Sequence, residues 1–470
     1  MNNIKNKILN RSLFYYLLIP IFIFVLNKIK YFGNEPQYSL GIILVLAFLV
    51  MFIVDIRMLY YILFPSIIIL PNIVRYLYSI TGNINSTNLL SASVDVILIM
   101  IYIRIILKNI LVEQYYINNR VDKWIIIYVA AIFLCTINSV FTMGIKASIH
   151  GTRLILLPTA IYFILSYEKI DVNLLLKTII ISFIIVNIYE IYQQIFGFFN
   201  WETLYLKIFK EGGIGTIYFQ ARESGVEGFY KNLNGYNLSF SISIITVYLT
   251  TKLINGKANI ADKLMIFTSI ILLVLILERT PLFALILSLS IYFLLRGVRE
   301  NKKYIFLAII TIIVVEFILV KFQDQLLYSY SLKLRRLGEM SNPLQAGTMQ
   351  GRIYFRWADY LKLINSPNII FGYGFGFYPN RIEKVYRGFH SLFFNQILEL
   401  GLLGFISFFI SIIYLYKMCD QNRIRYFIPI ITFIIIGIPN SPFAVHSKYY
   451  FWVFAGLLVR DYKQKVKKYV

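Results

Sequence analysis

Among the three histidines, His390 has the surroundings that suggest chemistry. It stands in Phe389-His390-Ser391-Leu392-Phe393-Phe394-Asn395, directly after a basic stretch and at the start of an apolar run. Glu399 and the small residues Gly401 and Gly404 follow on that run. A neutral imidazole accepts a proton from a hydroxyl near neutral pH, as a general base must. Small residues at such spacing let helices pack closely. His150 and His446 lack such neighbours and read as interfacial side chains. Arginines form the second group. Arg279 sits at the end of an apolar run in Leu277-Glu278-Arg279-Thr280-Pro281. A charge there either snorkels or faces a cavity between helices, and Glu278 is an alternative salt-bridge partner. Arg352 and Arg356 are four apart in Gly351-Arg352-Ile353-Tyr354-Phe355-Arg356-Trp357-Ala358-Asp359-Tyr360. That spacing puts both on one face of a helix, with Trp357 and Tyr360 suited to a membrane interface. Guanidinium groups bind phosphate oxygens in pairs, so the arginines suit an anionic leaving group.

Other motifs narrow the chemistry. The run Phe371-Gly372-Tyr373-Gly374-Phe375-Gly376-Phe377 looks like a nucleotide loop but lacks the lysine and hydroxyl of a P-loop and any strand-helix context. It reads as a turn that brings backbone close to a helix or ligand. No Asp-x-Asp motif stands in a predicted outer loop, and no His/Asp/Glu cluster has metal-ligand spacing, which disfavours a metal-dependent transferase. Cys135 and Cys419 are too few and too far apart for a disulfide framework or a thiolate metal site.

These residues must be positioned by a membrane bundle. Of 470 residues, 59% are hydrophobic and 15% charged, against roughly 25% charged in a soluble domain. A soluble protein of this size cannot hide so much apolar surface, so lipid must cover the outside. Runs long enough to cross a bilayer centre on 13–26, 40–54, 58–78, 89–107, 124–141, 154–167 and 174–196, then on 236–254, 264–277, 281–295 and 305–320, and finally on 391–416, 426–438 and 444–459. About fourteen transmembrane helices follow. The net charge of +23 would point to nucleic acid on a soluble protein. In a membrane protein it reads first as cytoplasmic Lys and Arg. Lys5, Lys7 and Arg11 place the amino terminus inside, and Lys463, Lys465, Lys467 and Lys468 place the carboxyl terminus there too. The first span has no cleavage site after it and reads as an uncleaved anchor. Alternation then puts the histidines, Arg279 and the stretch 321–389 outside. That stretch carries ten Lys and Arg, from Lys321 to Arg387, against Asp324, Glu339, Asp359 and Glu383. It is either a solvated surface loop or an anion site.

Three blocks resemble the O-antigen ligase/polymerase superfamily of bacterial surface-polysaccharide assembly. The first is Phe229-Tyr230-Lys231-Asn232-Leu233-Asn234-Gly235, like the family's Asn-Pro-Asn segment, followed after a span by Glu278-Arg279-Thr280. The second is Gly351-Arg352 with Trp357, running on to the glycine-aromatic stretch 371–376. The third is His390-Ser391 with Glu399, Gly401, Leu402 and Gly404, like the family's His-Asn followed by Glu-x-Gly-x-x-Gly. Leu233, Glu278 and Ser391 depart from the family's usual Pro, Ser and Asn. The resemblance covers roughly residues 228–408.

The resemblance implies an all-α polytopic membrane protein, GT-C-like, with a long extracytoplasmic loop carrying short helices. It implies a metal-independent, inverting glycosyltransferase in the bacterial plasma membrane with no cofactor. The donor would be an oligosaccharide on undecaprenyl diphosphate and the acceptor a glycan. Arg279 and Arg352 would hold the diphosphate, and His390 would activate the acceptor. Arg222, Arg356, Asn234 and Glu399 would bind substrate. Units are expected at 1–196 (transmembrane bundle), 197–234 (first outer loop), 235–320 (central helices), 321–389 (long basic loop) and 390–470 (carboxyl-terminal helices and basic tail). A polymerase of O-antigen or capsule repeats and a ligase that moves finished glycan onto lipid A core or protein share donor and mechanism. The two outer loops favour the polymerase, with a chain-length regulator as a candidate partner. A flippase would need charges along a path from both sides, whereas these gather on one.

Overall fold

The structure, a computed structural model, describes residues 60–69, 71–73, 76, 79, 93–111, 119–197, 199–204, 235–276, 279–299, 306, 349–350, 352–364, 369–375, 391–440, 443 and 446–466. Among the described residues there are helices and turns but no strand. The long helices are α1 (Ser93–Leu111), α2 (Arg120–Met143), α3 (Ile145–Tyr167), α4 (Val172–Phe196), α5 (Gly235–Ile254), α6 (Ile260–Ile276) and α7 (Arg279–Arg299). A π-helical turn (Arg352–Trp357) leads into short α8 (Ala358–Ile364). Then come a three-residue turn, α9 (Leu392–Phe394), a second π-turn (Asn395–Glu399), α10 (Gly401–Lys417), α11 (Ile424–Gly437) and α12 (Ser447–Val466). Four described helices are long and apolar enough to cross a membrane: Arg120–Met143, Ser148–Tyr167, Val172–Phe196 and Thr280–Gly297. The protein is a membrane protein on this footing. The expected spans at 13–26, 40–54 and 305–320 lie outside the described residues, apart from Phe306.

The helices run up and down, and their two ends differ. Helices that begin at the lysine-rich end are capped by Asx residues. Asn119 and Asp122 form a reciprocal capping box at the start of α2, and Asn259 and Asp262 exchange the same pair of bonds at 2.8 Å each before α6. Asp171 accepts from the amides of Asn173 and Leu174 to start α4. Such caps satisfy amides that a helix start leaves without partners, and they fix where the chain turns back. The buried Asp122 also gathers the elements around it. Its carboxylate accepts from the Tyr162 hydroxyl at 2.5 Å and from the Tyr167 hydroxyl, with Lys463 Nζ 3.8 Å away. Arg460 donates to the carbonyls of Glu168 and Ile170. The basic end of α12 is thereby tied to α2 and α3. Between these helices lies an aromatic core in which Tyr128, Tyr162, Phe408, Phe451 and Trp452 pack ring against ring.

One expected span is corrected. The apolar run 391–416 reads as a single helix, yet the chain breaks at Leu400 and only α10 continues. Gly401 adopts φ +72°, a left-handed conformation that ends the preceding turn. A second helix is longer than expected. α3 starts at Ile145 rather than near 154, because Gly144 alone (φ +90°) links it to α2.

At the lysine-rich end the loop before α11 is held by Asp420. Burial pushes its carboxyl up, but hydrogen bonds from the Arg423 side chain, Lys465 and the Arg423 amide outweigh that and hold it well below the usual carboxylate range. An acid whose folded pKa is depressed adds stability above its unfolded pKa of about 4, which is lost as pH falls through the folded value. The detergent-solubilised protein should therefore lose thermal stability as pH drops below about 4, and Asp420→Asn should remove part of that acid-dependent loss while lowering the melting temperature at pH 7.

Candidate functional site

The end opposite the lysines holds the described segments that carry Arg279, Arg352, Arg356 and Glu399. Its centre is a contact between two glycine corners. In the turn 369–375, Gly372 and Gly374 adopt φ +78° and +94°. The Tyr373 amide donates to the Leu398 carbonyl at 2.7 Å and the Gly374 amide to the Glu399 carbonyl at 3.3 Å. The backbones are so close that a Cβ on Gly372 would stand 2.1 Å from the Glu399 carbonyl oxygen. One on Gly401 would stand 2.4 Å from the Ile370 carbonyl oxygen. The described part of the run, 371–375, is thus a close-approach turn and not a phosphate loop, as its lack of P-loop residues led us to expect.

α2 covers this junction with a polar stripe. Cys135 Sγ donates to the Glu399 carbonyl at 2.9 Å, Asn138 Nδ2 to the Gly372 carbonyl at 2.9 Å, and Ser139 Oγ to the Phe375 carbonyl at 3.1 Å. Thr142 Oγ1 lies 3.4 Å from the Tyr373 carbonyl. α3 supplies Gly151, where a Cβ would meet Phe375 at 2.3 Å. The stripe satisfies carbonyls that a broken helix exposes, which lipid could not do. Sequence reasoning missed these residues. The signal was present, since positions 135, 138, 139 and 142 follow the i, i+3, i+4, i+7 pattern of one helical face.

The stretch 391–399 is held from the other side by α11, where a Cβ on Gly437 would meet Leu392 at 2.7 Å. α11 also bonds α7 through Thr432 and Ser288 at 2.9 Å, while Ser243 of α5 donates to the Pro281 carbonyl at 3.1 Å. One helix thus holds both α7, which begins at Arg279, and the segment that follows His390. The Arg352 segment is fixed by aromatic contacts of Trp357 and Tyr360 with Phe394, at 5.8 and 5.2 Å, and by a bond from Tyr373 Oη to the Leu363 carbonyl. This corrects the expectation that both aromatics lie along the membrane interface. Tyr360 is fully buried against Ile369 and Leu398, and the exposed apolar residues of this segment are Tyr354 and Leu361. Over 352–357 the turn is also π rather than α, a form frequent at functional sites.

The predicted residues divide as follows. Arg279, Arg352 and Arg356 have described backbone at this end, and their side chains lie outside what is described. His390, Arg222 and Asn234 lie outside the described residues altogether. Glu399 is described and buried in the second π-turn. Beside it the Gln396 amide faces the Tyr128 hydroxyl, and Asn395 is buried as well. Polar side chains so deep in an apolar bundle fix a unique packing or serve function.

The glycine junction makes a sharp prediction. Gly372→Ala and Gly401→Ala combine an unfavourable positive φ with a backbone clash, and each should destabilise by about 2 kcal/mol or more. Gly256 has φ +69° but nothing within 4 Å of its would-be Cβ, so Gly256→Ala should cost about 1–2 kcal/mol at most. Melting temperatures of the three variants in one detergent check the order.

Residues 264–409, about a third of the chain, match the family model described as O-antigen ligase. That stretch contains Arg279, Arg352, Arg356, His390 and Glu399, whereas Arg222 and Asn234 precede it. No curated protein and no solved structure matches the chain. Residues 264–409 are therefore similar to the O-antigen ligase family, which supports the resemblance to the O-antigen ligase/polymerase superfamily carried by the motifs in that stretch.

Proposed function

We propose that the protein is a polysaccharide polymerase that lengthens O-antigen or capsule glycan at the outer face of the bacterial plasma membrane. The observation that carries this reading is the match over 264–409, together with the convergence of the Arg279, Arg352 and Glu399 segments at one end of the helices. We place the lysine-rich end in the cytoplasm on the positive-inside rule, and both termini with it. The opposite end then faces the donor, an oligosaccharide on undecaprenyl diphosphate. The acceptor hydroxyl oxygen attacks the anomeric carbon from the face away from the diphosphate. The bond from that carbon to the diphosphate oxygen breaks, so the configuration inverts. His390 takes the hydroxyl proton, and Arg279 and Arg352 take up charge on the leaving diphosphate. Fixed guanidinium groups serve this without a metal, because they sit where charge develops. Arg222, Arg356 and Asn234 bind glycan or phosphate. Glu399, assigned with them to substrate, is buried in the second π-turn.

The family's description favours a second reading, a ligase that moves finished glycan to lipid A core or protein. Donor and bond changes are the same, and only the acceptor differs. A purified preparation given lipid-linked repeat units and lipid A core decides between them. Longer lipid-linked chains support the polymerase, and decorated core without lengthening supports the ligase. Within either reading, His390→Ala and Arg352→Ala should each lower transfer about 10²–10³-fold at normal protein level. An unchanged ladder of surface glycan on a gel would overturn the catalytic assignment.

A further inference from the structure

A second group of charges stands at the same end, on the face of α3 turned away from the glycine junction, with Lys448 buried and the Arg153 and Asp95 side chains 43% and 19% exposed. Gly151 meets Phe375. Arg153, two residues on, points to roughly the opposite side of the helix. There Arg153 Nη1 lies 3.3 Å from Asp95 Oδ2 of α1, and Arg153 Nη2 lies 3.4 Å from His150 Nδ1. Lys448, in the first turn of α12, completes the group and is only 4% exposed. Its ammonium lies 5.3 Å from the Tyr449 ring. Among the described residues it has no acceptor within hydrogen-bonding distance. Asp95 is the carboxylate that both cations share. An arginine, a lysine and a histidine therefore stand against one carboxylate, which already engages Arg153.

A buried ammonium without an anion is costly, so buried charges are normally paired. A donor fork and a point charge converging from two helices are the elements that recognise a compact oxyanion. We propose that Lys448 and Arg153 form a binding site for a phosphate or carboxylate group, with Asp95 orienting Arg153 and competing with the ligand. The site is separate from the glycine junction, because the body of α3 lies between the two. It rests on the proposed function only for the source of the oxyanion. That source is either the phosphate of a polyprenyl lipid or the carboxylate of an acidic sugar in the glycan.

The test uses the full chain in nanodiscs of neutral lipid, in an Arg352→Ala background that removes donor-site binding. Calorimetric titration is done with farnesyl phosphate and, separately, with a glucuronate-containing disaccharide. At least one probe should bind. Lys448→Met should weaken that binding about tenfold or more, and Lys448→Arg should restore it to within about threefold of the parent. Asp95→Asn should tighten it, an effect that general unfolding cannot mimic. The probe that binds names the source. Binding of neither probe, unchanged binding in Lys448→Met, no rescue by Lys448→Arg, or weaker binding in Asp95→Asn each overturns the site. Failure of the catalytic assignment shows separately, as unchanged glycan transfer in Arg352→Ala with the Lys448 dependence intact.

Discussion

The backbone contact between the turn 369–375 and the corner 398–401 is the constraint on which the candidate site depends. Peptide groups meet there without side chains between them, which requires glycine at 372 and 401. Broken helices are tolerated at membrane depth only where protein satisfies the freed backbone groups. The stripe on α2 and the amides of Tyr373 and Gly374 supply that. The other elements of the site are joined to this junction through chains of one or more contacts. Tyr373 reaches α8, Phe394 reaches Trp357 and Tyr360, and Leu392 reaches α11 and through it α7.

The ends of the helices are specified differently. At the lysine-rich end, short polar caps and charge pairs decide where each helix starts, as Asn119, Asp171, Asn259 and Asp420 show. At the opposite end, positive-φ glycines and π-turns dominate, at Gly144, Gly372, Gly374 and Gly401 and over 352–357 and 395–399. The first device gives sharp, stable boundaries. The second gives close approach and irregular backbone, which are what a site between helices uses.

Much of the bundle was legible in the sequence, because a run of apolar residues of span length has few alternatives to a buried or membrane helix. The expected runs 124–141, 174–196, 236–254, 426–438 and 444–459 each coincide with a helix, to within a few residues at most ends. The break at Leu400 was not legible, since Ser391–Lys417 has the composition of one helix and only Gly401 and Gly404 interrupt it. What breaks it is a partner some 30 residues earlier, and no local preference records that. The inward packing of Tyr360 was hidden for the same reason, because an aromatic beside arginines suits an interface equally well. The motif order around Arg279, Arg352 and His390 was legible as a resemblance to the superfamily, without showing which neighbours hold each segment.

The shortness of α10 has a consequence for depth. Its 17 residues rise about 25 Å, while a bilayer's hydrocarbon core is about 30 Å thick. With Lys417 at one interface, Gly401 ends about one helical turn short of the other. On that placement the glycine junction would lie beneath the headgroup plane, where protein and not lipid has to satisfy its backbone groups.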